Sequence, residues 1–248
     1  MGTSKSTYLV LVVVITVMVL SVTLFKGREG SANIRQDVRA QNRESYQDRL
    51  DRYPVVEAEE TEPVDPLTKA KLKKQKERYD KDAPFTNPGP KDEELAFRPE
   101  WQFNFPALPV VQSDLIVMGQ VLSAEAHRSN NKMNVFSNFE LRVEEVLKGN
   151  AKAGDVINIQ RIGGFVKYPN GQKVLFRLSG NGMPGVGARY VFFLNVADED
   201  YTILTAYELG QEGVVPLDNS AQFQMYKGVT ETSFTTTLRE AISKALPQ

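Results

Sequence analysis

The chain has 248 residues, with 30 Lys and Arg against 31 Asp and Glu, one His and no Cys. A net charge this close to zero leaves the whole chain without the electrostatic footprint of a nucleic-acid binder. Lack of Cys removes disulfides, thiolate nucleophiles, Cys-ligated zinc and iron–sulfur clusters, and a single His removes any His-rich metal site.

Residues 1–8 are a short tail. From Leu9 to Phe25 the sequence LVLVVVITVMVLSVTLF carries no charge, and a spanning helix needs roughly 17–25 apolar residues. We read it as a transmembrane helix, an uncleaved signal anchor, because it ends in Leu-Phe-Lys and not in a small-x-small cleavage site. Met1-Gly2 with Ser6 also matches the myristoylation pattern, which a span beginning this close to the terminus makes redundant. Orientation is contested. Lys26, Arg28, Arg35 and Arg39 follow the run and only Lys5 precedes it. The positive-inside rule then keeps the C-terminal bulk in the cytoplasm, whereas a signal anchor exports it.

Residues 26–111 turn charged and polar, with Pro54, Pro63, Pro66, Pro84, Pro88, Pro90, Pro99, Pro106 and Pro109 spread through them. Such a composition buries little apolar surface, and we read the stretch as a linker, partly helical or disordered. A sparse apolar stripe marks 33–53 as one helical candidate. Pro66 opens a second over 66–82, where proline suits a first turn. The lysine run there (Lys69, Lys71, Lys73, Lys74, Lys76 and Arg78) reads as a solvated helix face. As a flexible coil the whole linker would reach on the order of 50 Å.

From Gln112 the pattern changes to short apolar runs broken by Gly and Asn. Strands are expected over Leu115–Leu122, Asn138–Val146, Val156–Ile162, Phe165–Tyr168, Val174–Leu178, Arg189–Val196, Tyr201–Tyr207 and Gly213–Leu217. In the second, Phe139, Leu141 and Val143 alternate with Glu140, Arg142 and Glu144, the period of a half-buried strand. Pro169-Asn170-Gly171 signals a hairpin, since Asn-Gly supplies positive φ angles. A helix over 233–246 closes the chain, with Thr237-Leu-Arg-Glu240 as a capping box and Leu238, Ile242 and Leu246 as its stripe. Many short strands with close turns make the fold mainly β, a barrel or sandwich over 112–248.

Few residues carry chemistry. Gly180-Asn-Gly182-Met-Pro-Gly185 fits G-x-G-x-x-G, but a strand follows it where a nucleotide fingerprint needs a helix, so it reads as an inter-strand loop. Asp198-Glu-Asp200 reads as a polar hairpin, lacking the spacing of a calcium loop. Glu144 and Glu145 are adjacent and point to opposite faces of a strand, so they are no acid–base pair. His127 reads as an exposed loop residue. Arg161, Lys167, Lys173 and Arg177 with Phe165 and Tyr168 cluster around one hairpin. Cation-plus-aromatic surfaces on barrels bind single strands or sugars, so Arg161, Phe165, Lys167, Tyr168 and Arg177 are the candidate binding residues. No metal or cofactor is implied.

Three segments carry a resemblance: Ser113-Asp-Leu-Ile-Val-Met-Gly-Gln-Val121, Val143-Glu-Glu-Val-Leu-Lys-Gly149 and Val186-Gly-Ala-Arg-Tyr-Val-Phe-Phe-Leu194. In order and content they resemble the netrin-like domains, the group that includes the tissue inhibitors of metalloproteinases. The resemblance implies an oligonucleotide/oligosaccharide-binding type antiparallel barrel, here closed by the C-terminal helix, as in secreted or membrane-anchored bacterial proteins. Those inhibitors chelate the protease zinc through an N-terminal Cys, which this chain lacks, so inhibition by that route does not carry over. The expectation is a single-pass, non-enzymatic module outside the cytoplasmic membrane, binding a protein, glycan or envelope partner. The alternatives are a cytoplasm-facing module for nucleic acid or anionic lipid, and a hydrolase using Ser or Asp.

Overall fold

The computed structural model describes residues 50–80, 105–178 and 180–245, together with the backbone of Leu95–Phe97. The apolar run 9–25 and most of the helical candidate 33–53 lie outside them. No helix among the described residues is long and apolar enough to cross a membrane. The chain divides into two compact units, Met1–Leu50 and Asp51–Gln248, and the described strands all belong to the second.

That unit is mainly β. In chain order it contains β1 (Val55–Glu57), α1 (Pro66–Arg78), β2 (Leu95–Phe97), β3 (Leu115–Arg128), β4 (Val135–Lys148), β5 (Val156–Ile162), β6 (Gly164–Lys167) and β7 (Lys173–Leu178). Then come β8 (Arg189–Ala197), β9 (Asp200–Gly210), β10 (Gly213–Pro216), a 3-10 turn (Phe223–Tyr226) and α2 (Glu231–Ala245). The larger sheet runs β10-β9-β5-β4-β3-β8. It partly closes on itself. β9 pairs antiparallel with β8 over Tyr190↔Glu208 to Ala197↔Asp200. It meets β5 in a short parallel register, Ile159↔Tyr201 and Gln160↔Thr202.

Its core is what the alternation predicts. Leu141, Val143, Ile159, Val191, Phe193 and Tyr207 are sealed from solvent, as are Phe234 and Leu238 of α2. At roughly 1.5–3 kcal/mol per large apolar side chain, this burial is the main favourable contribution to folding.

Several boundaries differ from expectation. β3 and β4 each run 14 residues, well past their apolar halves, because antiparallel pairing from Ile116↔Lys148 to Arg128↔Val135 holds their polar ends. α2 begins at Glu231, and its cap is Thr230, whose Oγ1 accepts from the Ser233 N–H at 3.3 Å. Thr237 sits mid-helix and bonds back to the Ser233 carbonyl at 3.0 Å. Thr230 has Ser233, not Glu or Gln, three residues on and so lacks the capping-box spelling, yet the cap lies where the buried Phe234 begins the stripe.

The linker reading fails over its middle. Residues 51–80 belong to the same unit as the strands. β1 pairs in parallel with β6, Val55↔Phe165 to Glu57↔Lys167, and β2 pairs in parallel with β7, giving a second sheet in the order β1-β6-β7-β2. Tyr53, Val56 and Leu72 are buried. Val56 joins Ala126, Val135, Val166, Val174, Phe176 and Leu178 in a second core. A few apolar residues, each landing in a prepared pocket, leave no periodicity for composition to register.

Candidate functional site

Of the hairpin residues chosen from sequence, Arg161 lies 2% exposed on β5, and its Nη2 donates to Asp218 Oδ1 at 2.6 Å. It is therefore no surface cation. Phe165 meets Tyr53 edge-on at 6.0 Å, and Tyr168 packs on the Val56–Val166–Phe176 core. Lys167 donates to Glu57 at 2.8 Å on the surface. Arg177 stands by the Tyr53 hydroxyl. The five stand close in the chain, but β1 and its flanks take up the contacts of Phe165, Lys167, Tyr168 and Arg177, while Arg161 turns to Asp218. Between the hairpin strands, Tyr168 N–H donates to the Gln172 carbonyl at 2.9 Å, while Gly171 takes the positive φ, 82°, that the turn requires.

The glycine-rich loop joins β7 to β8 and does not open a helix. At Gly182 a Cβ would lie 2.1 Å from the Leu217 carbonyl oxygen, and the Gly182 N–H donates to Asp218 Oδ1 at 3.1 Å. The glycine serves close packing over the Arg161–Asp218 pair.

Polar chemistry gathers elsewhere, on the flank formed by β3, β4, β5 and the start of β9. Strand register builds it. Ser123 faces Glu140, which faces Asn158; Glu125 faces Asn138, which faces Gln160. Each row keeps one parity along its strands, the period-two rule read across three strands. His127 belongs to this flank too. It is not on a loop and not exposed: it sits on β3, 5% accessible, and donates from Nδ1 to Glu60 Oε1 at 2.7 Å.

Helix α1 lies on this flank. Asp65 caps it by accepting from the Thr68 N–H at 2.8 Å, with Pro66 in the first turn. Gln75 Nε2 donates to Asp200 Oδ2 at 2.7 Å, and Asn138 Nδ2 donates to Gln75 Oε1 at 3.0 Å. Arg78 donates to Gln160 Oε1 at 2.7 Å and to Asp198 Oδ2 at 2.8 Å. Lys71 pairs with Asp200 at 3.0 Å and Lys76 with Glu60 at 2.7 Å. The lysine run is thus not simply a solvated face, since Lys71, Lys76 and Arg78 are committed to carboxylates. Past the helix, Tyr79 stacks on Phe136 at 4.4 Å and 13°. Asp80 accepts from the Asn131 N–H at 2.9 Å, in the loop between β3 and β4.

Asp200 is the hub. Besides Gln75 and Lys71 it accepts from Asn158 at 3.0 Å and Gln160 at 3.1 Å. Burial by itself would raise its carboxyl, but the hydrogen bonds from Asn158, Gln75 and Lys71 outweigh that and hold it below the usual Asp value. Glu60 behaves alike: burial pushes it up, while the bonds from His127 and Lys76 bring it below the usual Glu value. Burial raises the Tyr79 hydroxyl to about 12. The Asp198–Asp200 segment is the expected hairpin, but Asp200 at its end is buried, which the charge pattern did not reveal.

Two open grooves flank α1. One, about 650 Å³, is lined by Ser123, Glu125, His127, Asn138 and Glu140 on its strand side. The other, about 410 Å³, runs between α1 and Asp198–Asp200. Ser123 donates to Glu140 at 2.8 Å, and His127 is four residues along the same strand, on the order of 13 Å away at strand rise. The two are not a nucleophile–base pair. No group of three or more His, Asp or Glu among the described residues is arranged to hold a metal ion.

Sequence reasoning missed Glu60, Gln75, Asn138, Asn158, Gln160 and Asp200. The available signal was that β5 (VINIQRI) carries amides at alternate positions and β4 carries Asn138 and Glu140 at the same parity. The helix that meets them is distant in sequence. The chain matches no protein-family model and no curated protein.

Proposed function

We propose that the chain is a membrane-anchored, non-enzymatic binding module of the oligonucleotide/oligosaccharide-binding barrel type, displayed outside the cytoplasmic membrane by the apolar run 9–25. The pairing circuit β3-β4-β5-β9-β8-β3, with its parallel β5–β9 contact, supports the barrel reading. It agrees with the netrin-like resemblance over Gln112–Val196. The observation that carries the binding role is the polar flank of β3, β4 and β5, with Ser123, Asn138, Glu140, Asn158 and Gln160 in cross-strand rows. Barrels of this type bind ligands on the face of their second and third strands and on the adjoining loops. Here those are β4, β5, the β3–β4 loop and the Asp198–Asp200 hairpin.

With residues 51–80 packed against the strands, the tether in this reading is 26–50, far shorter than composition suggests. The partner is a protein, glycan or envelope component. Nucleic acid fits the site poorly, because its strand side is acidic and the cations Arg161, Lys167 and Arg177 stand elsewhere, engaged with Asp218, Glu57 and Tyr53.

The test is topology. Protease added to cells stripped of their outer layers should digest the domain over residues 51–248 in the intact preparation. Protection until lysis would overturn display and favour the cytoplasm-facing orientation that the cations after Phe25 predict.

A further inference from the structure

Helix α1 holds its place in an unusual way. Of its 13 residues only Leu72 and Gln75 are buried, so apolar burial supplies little of the contact. Ion pairs and the hydrogen bonds of Gln75 supply most of the rest. Every cation lining the two grooves, Lys71, Lys74 and Arg78, comes from α1. The strands and their hairpin contribute Glu125, Glu140, Asp198, Glu199 and Asp200 to the same grooves. A basic helix therefore lies on an acidic, amide-lined surface. At its C-terminal end an aromatic ring stacks face to face on Phe136.

The geometry points to this flank as a docking surface for basic helical segments of protein partners, occupied in this chain by its own α1. The inference rests on the binding-module reading and names the class of partner. The partner segment carries Lys and Arg at helical spacing, so as to reach Asp200 and Asp198 together, and ends in an aromatic residue that takes the place of Tyr79 on Phe136. A polyanion is repelled by the same five carboxylates. Two features suit α1 to exchange. Two of its ion pairs are open to solvent on one side, with Lys71 47% and Asp198 76% exposed, so these two hold it only loosely, while Lys76–Glu60 is more enclosed. Neither the α2-side core nor the core of Val56, Val166 and Phe176 contains an α1 residue.

The experiment uses the full chain in detergent and a fluorescent peptide of residues 64–80. In the unaltered chain the tethered helix competes at an effective concentration in the millimolar range, and the peptide binds weakly. In the double variant Lys71→Glu, Arg78→Glu the tethered helix is repelled from Asp200 and Asp198. Binding should then tighten by about tenfold or more, the factor by which the competent state was under-populated. Adding Asp198→Asn and Asp200→Asn should return it to the weak level.

Hydrogen exchange on β3 and β8, read in each variant, reports whether the sheet is intact. An intact sheet that takes no peptide overturns the inference, as does one that takes a single-stranded oligonucleotide instead. Loss of protection across β3 and β8 in the double variant also overturns it, since α1 would then be part of the fold. All of these readings are made in solution, so they are independent of the topology result that tests display.

Discussion

Helix α2 meets the strands through Phe234, Leu238 and Ile242, all buried and packed with Val191, Phe193, Tyr207 and Val214, whereas α1 meets them through Lys71, Gln75 and Arg78. The first contact is non-directional and insensitive to salt, because it derives from area removed from water. The second is directional, and between exposed groups it is screened within about 8–10 Å at ordinary ionic strength. One helix is seated by apolar burial, the other mainly by ion pairs and hydrogen bonds around a single buried Leu72. Residence on a sheet and membership of its core are therefore separable, and what separates them is what the helix buries.

The greatest loss should come from breaking the α2 side. Phe234 packs against Tyr207 at 4.8 Å and Tyr226 at 5.2 Å. Phe234→Ala should cost about 3–5 kcal/mol, seen as a global loss of denaturation midpoint. An equal loss of midpoint on truncating Leu72, the one buried apolar residue of α1, would remove the distinction between the helices.

Nearly as large is a charge effect at a buried site. Arg161 and Asp218 are 2% and 3% exposed in their side chains. Asp218→Ala leaves the guanidinium buried without its counter-charge, which should cost about 3–5 kcal/mol in urea denaturation. The same chemistry at the exposed Arg78–Asp198 pair should hardly move the global midpoint. If Asp198→Ala costs as much, burial is not what sets the scale.

Acid should separate the helices without mutation. Glu60 and Asp200 are both held below their ordinary values in the folded chain. Undocking removes the Gln75 and Lys71 bonds from Asp200 while that from Asn158 stays, so its carboxyl rises toward the ordinary range at about pH 4. The undocked state then takes up more protons as pH falls. Their contribution to docking is complete above about pH 4–5 and is lost as pH drops through their depressed native values. Hydrogen exchange across that window should show amides of 66–78 opening while those of 231–245 stay protected. Opening of both together would show that α1 is part of the cooperative unit.

Least should be lost at Arg239 of α2, which donates to Glu145 at 2.7 Å with both groups largely exposed. Arg239→Ala should cost less than about 1 kcal/mol, as a shift in melting temperature. A larger cost would mean that charge, too, holds α2.

Much of the strand framework was legible. Val156–Ile162 stands as read, and the Asn170-Gly171 turn and the outward Glu140 and Arg142 follow from local rules. Glu144 and Glu145 do point apart, one to Arg189 and the other to Arg239. What failed were readings that depend on distant neighbours. Val56 reads as one valine among prolines and acids until its pairing with Val166 is known, and His127 reads as a loop residue until β3 is found to run its full length. Arg161 looks like a surface cation because nothing near it in sequence announces Asp218, 57 residues on.

The mainly β class, the Asn170-Gly171 turn and the Leu238–Ile242 part of the α2 stripe, whose third member Leu246 lies outside the described residues, were thus legible in the sequence alone. Period-two alternation, positive-φ residues and helical spacing act over a few residues, and each is written in adjacent letters. It took the folded chain to settle that residues 51–80 return to the strands and that Asp200 gathers Lys71, Gln75, Asn158 and Gln160. Charges and amides carry no periodicity of their own. Which of them meet depends on strand register and helix placement, and those follow from packing over the whole domain.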